Sequence, residues 1–277
     1  METTRLNELV KISGMVRLGI IEATYQAGSG HPGGSLSSAD VLTYLYFNEL
    51  NVRPDEPAYE DRDRFVLSKG HAAPALYSVL AQRGFFPVEE LKTLRKIDSR
   101  LQGHPDMHKT PGVDISTGSL GIGLSNACGM ALAAKLQNKD YRVFAVTGDG
   151  ELQEGQIWEA AMFASHYKLD NLIVYVDANG LQIDGRTGDV MSVEPIDKRF
   201  EAFGWNVQRI NGHDFEEIEK ATENAKAVKG QPCAIICNTV KGKGVSFMED
   251  KAGWHGVAPK KDEYEQAVKE LTEAYGL

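Results

Sequence analysis

Asp149 lies in a Gly148-Asp149-Gly150 turn that closes the apolar run Val143-Phe144-Ala145-Val146, and Asn179 follows the next such run, Leu172-Ile173-Val174-Tyr175-Val176. The helix-like residues between them, 155–166, complete a βαβ unit. Its right-handed crossover keeps the two strands parallel and sets Asp149 and Asn179 at one edge of one sheet. Open α/β sheets bind their ligands at that edge. An Asp-Gly turn also forms for purely conformational reasons, so the second polar residue at the same edge is what favours chemistry. A carboxylate, an amide oxygen and nearby carbonyls are hard donors, too few to cage an ion but enough to hold Mg²⁺ or Ca²⁺ if a phosphate supplies the rest. The expectation is a metal-bridged phosphate ligand.

Histidines supply the second line. His31, His71, His104 and His255 each adjoin a glycine, which suits imidazoles on loops that approach a ligand. A neutral imidazole donates and accepts hydrogen bonds and titrates near neutral pH. The net charge of −9 opposes nucleic acid and anionic membranes as partners, so anion binding must be local. Candidates for it are Lys69 with His71, Lys241 with Lys243, and His255.

These residues need a scaffold, and the chain has the material for one. With 277 residues, 42% hydrophobic and 25% charged, it can bury a substantial core, and one α/β domain over residues 1–277 is the simplest division. Helical spacing of apolar residues runs from Leu6 to Ala23, with Gly28-Ser29-Gly30 as the stop and His31 in the loop beyond. Further helices are expected over 39–49, 75–83, 88–97, 120–136, 196–203, 216–228 (capped by Asp214) and 262–275. Buried strands are expected over 65–67, 205–210 and 233–239. Residues 103–119 and 180–195 read as irregular, and Lys241-Gly242-Lys243-Gly244 as a flexible basic loop. The fold class is thus α/β, a mostly parallel sheet with helices on both faces. Cys128, Cys233 and Cys237 read as buried, reduced residues. No apolar stretch is long enough to span a bilayer and no secretory signal opens the chain, so a cytoplasmic protein is expected.

Gly148-Asp149-Gly150, followed after about thirty residues by Asn179, resembles the thiamine diphosphate motif. Ser29-Gly30-His31-Pro32-Gly33-Gly34, Ser68-Lys69-Gly70-His71-Ala72, Gly103-His104-Pro105-Asp106, Thr117 through Gly123 and Trp254-His255-Gly256 together resemble transketolase, in its N-terminal, diphosphate-binding half. The resemblance implies that the side chains of Asp149 and Asn179 and the main-chain oxygen of Leu181 ligate the cation. It sets His71 and His255 against the cofactor's diphosphate, and His31 and His104, with His255, near substrate hydroxyls and the reacting carbon. Gly118 and Gly150 would offer backbone N–H groups to phosphate oxygens, and Lys243, with Lys251 as a second candidate, would neutralise the diphosphate. Glu154 and Glu159 would join an acidic chain between two cofactor sites. Gly121 and Gly123 serve helix packing, and His108, His166 and His213, which match no motif, read as ordinary polar residues.

In transketolases a glutamate from a second, pyrimidine-binding domain activates the cofactor, and no second α/β half follows His255 here. The expectation is a split enzyme in which this N-terminal subunit joins a C-terminal subunit on a separate chain, and a second copy of itself, to move a two-carbon ketol unit from a ketose phosphate to an aldose. The alternatives are a 1-deoxyxylulose-phosphate synthase or keto-acid dehydrogenase component, a non-catalytic cofactor-binding module, and an ordinary nucleotide-binding α/β protein. Pentose phosphates, branched sugars such as apulose phosphate and other ketoses all remain open as substrates.

Overall fold

Apolar runs at 143–146, 172–176 and 233–237 become neighbouring strands because each is buried on both faces, as strands of a covered parallel sheet are. The computed structural model, which describes residues 1–277, has five parallel strands: β1 (Arg64–Leu67), β2 (Val143–Gly148), β3 (Leu172–Ala178), β6 (Asn206–Asn211) and β7 (Cys233–Asn238). Their spatial order is β1-β2-β3-β7-β6. A two-stranded hairpin, β4 (Leu181–Gln182) with β5 (Gly185–Arg186), stands beside the sheet.

Successive strand residues point to opposite faces, and each face has its own core. Phe144, Val146, Ile173 and Tyr175 join the core covered by α1 (Thr3–Ala27), α3 (Ala39–Tyr44), α4 (Ala73–Arg83), α9 (Phe215–Ala227) and α10 (Lys261–Tyr275). Val143, Ala145, Leu172 and Val174 join the other, covered by α5 (Ile122–Leu136), α6 (Gly155–His166) and α8 (Ile196–Ala202). No helix is long and apolar enough to cross a membrane.

Several expectations shift. Residues 88–97 form only a 3₁₀ segment, Val88–Thr93. Arg95 (φ 61°) and Asp98 (φ 65°) adopt left-handed backbone that a right-handed helix cannot include, and the Arg95 N–H donates to the Leu101 carbonyl instead. The 39–49 helix divides into α3 and a π-helical turn, Leu45–Glu49. His31 leaves the loop to become the N-cap residue of a short helix, α2 (Pro32–Ser37). The 180–195 stretch holds β4, β5 and one turn of helix, α7 (Thr187–Val190). Gly28 ends α1 at φ 59°, and Asp214 caps α9 through Glu216 and Glu217 N–H.

Candidate active site

Register delivers the first pair. Gly148 lies opposite Asp177 in the β2–β3 ladder, so Asp149 and Asn179 leave adjacent strands side by side. Gly180 N–H donates to Asp149 Oδ2 at 2.6 Å and Gly150 N–H to Oδ1 at 2.8 Å, while Leu181 N–H donates to Asn179 Oδ1 at 3.1 Å. Burial, and then the charge of Asp177, pushes the Asp149 carboxyl up to about 6. A buried carboxylate beside a second one favours a cation between itself and solvent. The donor set of Asp149, Asn179 Oδ1 and the Leu181 carbonyl is all hard oxygen and suits a small divalent ion that a phosphate also binds.

Asp177 was not singled out from the sequence, yet it organises this edge. It is 3% exposed and accepts from Ser37 Oγ at 2.6 Å, Asn179 Nδ2 at 2.9 Å, Lys69 Nζ and Thr239 Oγ1. Burial alone would raise its pKa, but the Lys69 ammonium and these hydrogen bonds hold it below the usual carboxylate range. By engaging Nδ2, Asp177 leaves Asn179 Oδ1 as the atom available to a cation. An acidic residue inside an apolar strand run was the available signal, because a buried charge must be paired. Glu151 was missed likewise: buried, it accepts from Ser68 Oγ at 2.5 Å, Gly121 N–H at 2.8 Å and Gly148 N–H at 3.0 Å, tying three loops together.

Lys241 faces the same oxygens. Its side chain is 2% exposed; Nζ donates to the Leu181 carbonyl at 3.1 Å and lies 3.0 Å from His255 Nδ1, with no carboxylate in ion-pair range. Burial, and then the charge of Lys69, lowers its pKa to about 8. Gly33 makes this approach possible, since a Cβ there would lie 2.7 Å from the Trp254 carbonyl and 3.1 Å from Lys241 Cγ. Lys243, the sequence candidate, is not brought in; it pairs with Glu249 at 3.3 Å outside the cleft. Lys251 donates to the Phe247 carbonyl at 3.0 Å.

His31, His71 and His255 converge, with ring centroids 5.0 to 5.5 Å apart. Burial, reinforced by neighbouring cations, lowers His31 to about 4, His255 to about 3 and His71 well below its usual value. All three are therefore neutral at neutral pH. His31 Nδ1 is buried and has no hydrogen-bond partner. His104 is exposed and does not line the same cavity, although its ring lies 3.4 Å from where a Gly118 Cβ would be. Its pKa too is lowered, by burial and then by Arg95.

His31, His71, Gly118, Asp149, Gly150, Glu154, Asn179, Leu181, Lys241 and His255 all line one cavity of about 310 Å³. Gly150 spends its N–H on Asp149. Glu154 lies on the rim and Glu159 on the exposed side of α6.

A covered parallel sheet whose carboxyl edge carries hard oxygen donors opposite a buried ammonium is an α/β module with a charged, polar cleft at its strand tips. The chain belongs to the transketolase family: the model for "Transketolase, thiamine diphosphate binding domain" matches residues 9–277. It is 47% identical over 257 residues to a 6-deoxy-6-sulfo-D-fructose transketolase subunit of Clostridium sp. (strain MSTE9), covering 93% of this chain and 94% of that one. It is 46% identical to an apulose-4-phosphate transketolase subunit of Phocaeicola vulgatus, covering 92% and 90%. Among solved structures, transketolase of Pichia stipitis in complex with sedoheptulose 7-phosphate superposes with a TM-score of 0.92 at 33% identity. That match covers 98% of this chain and 41% of the yeast one, so the chain spans about two-fifths of a full-length transketolase.

Proposed function

We propose that this chain is the N-terminal, diphosphate-holding subunit of a two-chain transketolase that moves a two-carbon ketol unit from a ketose to an aldose. The observation that carries the reading is Lys241, a buried ammonium with no carboxylate in ion-pair range, on the cavity that Asp149 and Asn179 also line. A diphosphate bridged to a divalent cation satisfies both sides at once.

In this reading Asp149, Asn179 Oδ1 and the Leu181 carbonyl hold Mg²⁺, with Ca²⁺ as a substitute, and Lys241, His71, His255 and the Gly118 main chain meet the diphosphate. Bound thiamine diphosphate supplies the nucleophilic carbon. The chain's own part is to orient and to move protons. His31, His104 and His255, neutral at working pH, donate to and accept from substrate hydroxyls near the reacting carbon. Glu154 and Glu159 belong to an acidic link toward a second copy, in an assembly of two copies of each chain.

The partner follows from the relatives. Those named as subunits match this chain over nearly their whole length, whereas human transketolase is matched over only 42% of its own. This pattern supports a pyrimidine-binding half carried on a separate polypeptide. The names of those relatives carry a sulfonate or a phosphate on the sugar, which supports a ketose donor with an anionic tail. Three free, buried cysteines suit a reducing compartment, the cytoplasm.

Calorimetric titration of thiamine diphosphate with Mg²⁺, combined with a ketol-transfer assay on the chain alone and mixed with a pyrimidine-binding subunit, tests the reading. Binding to the chain and turnover only in the mixture are expected. Turnover by the chain alone, or no cofactor binding in either sample, refutes it.

A further inference from the structure

Lys241 is carried by the turn Val240-Lys241-Gly242-Lys243, which Gly242 within it and Gly244 just after it would leave mobile in isolation. The structure instead holds both ends. At one end, Val240 N–H donates to His213 Nε2 at 2.9 Å. At the other, Arg17 Nε donates to the Lys243 carbonyl at 3.2 Å. Both gripping groups lean on one carboxylate. Arg17 donates to Asp40 Oδ1 at 2.9 Å and Oδ2 at 2.6 Å, and His213 Nδ1 lies 2.7 Å from the same Oδ2. Arg17 is fully buried and Asp40 is 4% exposed.

The chemistry fixes the roles. A main-chain N–H can only donate, so Nε2 of His213 is the acceptor and the ring proton resides on Nδ1, which donates to Asp40. Arg17 uses its fork on the carboxylate and its Nε on the turn. None of the three touches the cavity, and they come from α1, α3 and the loop between β6 and α9. We infer that Arg17, Asp40 and His213 form a positioning relay that clamps the 240–243 turn and so sets where the Lys241 ammonium stands in the cleft. His213, although it follows Gly212 as the cleft histidines adjoin glycines, thus acts behind the site.

This inference rests on the reading that Lys241 meets the diphosphate, and the test separates the two. His213→Asn keeps a donor for Asp40 but reaches nothing at Val240. His213→Gln offers an acceptor at the longer reach. Hydrogen–deuterium exchange on the full chain without cofactor is expected to show residues 240–245 exchanging about fivefold to tenfold faster in His213→Asn, the loss of one hydrogen bond. His213→Gln should return exchange toward the wild-type rate. Affinity for thiamine diphosphate with Mg²⁺, by calorimetry, should fall in the same proportion, and the loss should vanish in a Lys241→Met background, which a general loss of stability would not produce. Exchange within twofold of wild type in His213→Asn, or faster exchange with affinity unchanged, overturns the relay. A wild-type chain that binds no cofactor counts against the proposed function, and the exchange comparison then decides the relay by itself.

Discussion

Lys69 and Lys241 occupy matching places, the turns that follow β1 and β7, and both are buried at the same edge of the sheet. Lys69 is neutralised within the protein by Asp177 and also donates to the Gly34 carbonyl at 2.8 Å. Lys241 has a carbonyl and an imidazole nitrogen and no carboxylate in ion-pair range. A buried ion pair joins elements; a buried ion without its partner leaves a place for one. The difference places Lys69 in the scaffold and supports the proposed ligand role of Lys241, although both stand in basic, glycine-rich sequence.

Removing each charge should break the likeness between them in opposite ways. Lys69→Met strands Asp177, and truncating one partner of a buried pair costs about 3–5 kcal/mol; urea unfolding of the chain without cofactor measures it. A loss below about 1 kcal/mol, the value of an ordinary surface pair, would erase the distinction. Lys241→Met should leave that stability unchanged or higher, since it removes an unpaired buried charge. Affinity for thiamine diphosphate with Mg²⁺ should then drop roughly tenfold to a hundredfold, the worth of a charged hydrogen bond. Equal affinity in variant and wild type would return Lys241 to the scaffold.

The imidazoles sharpen the comparison through pH. His31 and His255 have folded pKa values of about 4 and about 3, below the unfolded value, so the unfolded chain binds more protons once pH falls below about 6.5. Their neutral burial therefore costs nothing above that pH. The cost grows as pH drops toward the folded values. Proton resonances of these rings should stay constant between pH 6 and 8, and a midpoint near 6.5 for either would contradict the enclosed cleft. Smallest is Ser37→Ala, which removes one of four side-chain donors to Asp177 and should cost about 1 kcal/mol. A thermal melt reads it, and the Lys241 side of the site should not respond.

Much of the site was legible because it follows from short-range rules. A turn after an apolar strand, repeated after the next one, places Asp149 and Asn179 together through the βαβ crossover alone. His31, His71 and His255 were legible as imidazoles beside glycines, though not that His31 would cap α2 or that the three rings would meet. Lys243 shows the limit. It and Lys241 stand two residues apart in one glycine-rich turn, and composition cannot say which ammonium points inward. The close packing of Lys241 over Gly33, and the grip of His213 and Arg17 on the turn ends, settle that. The 88–97 stretch has helical spacing, but a turn-closing bond from Arg95 to Leu101 and left-handed backbone at Arg95 end it early.

The amino-acid sequence by itself determined the α/β class, the strands buried on both faces and the oxygen pair at two strand tips, since periodicity and crossover handedness act over a few tens of residues. Tertiary structure alone decided which buried charges are cancelled. Lys69 meets Asp177 across 108 positions of chain, and His213 meets Asp40 across 173. Neutralisation depends on distances of a few ångströms between segments that no local pattern links, and only the packed sheet brings them within reach.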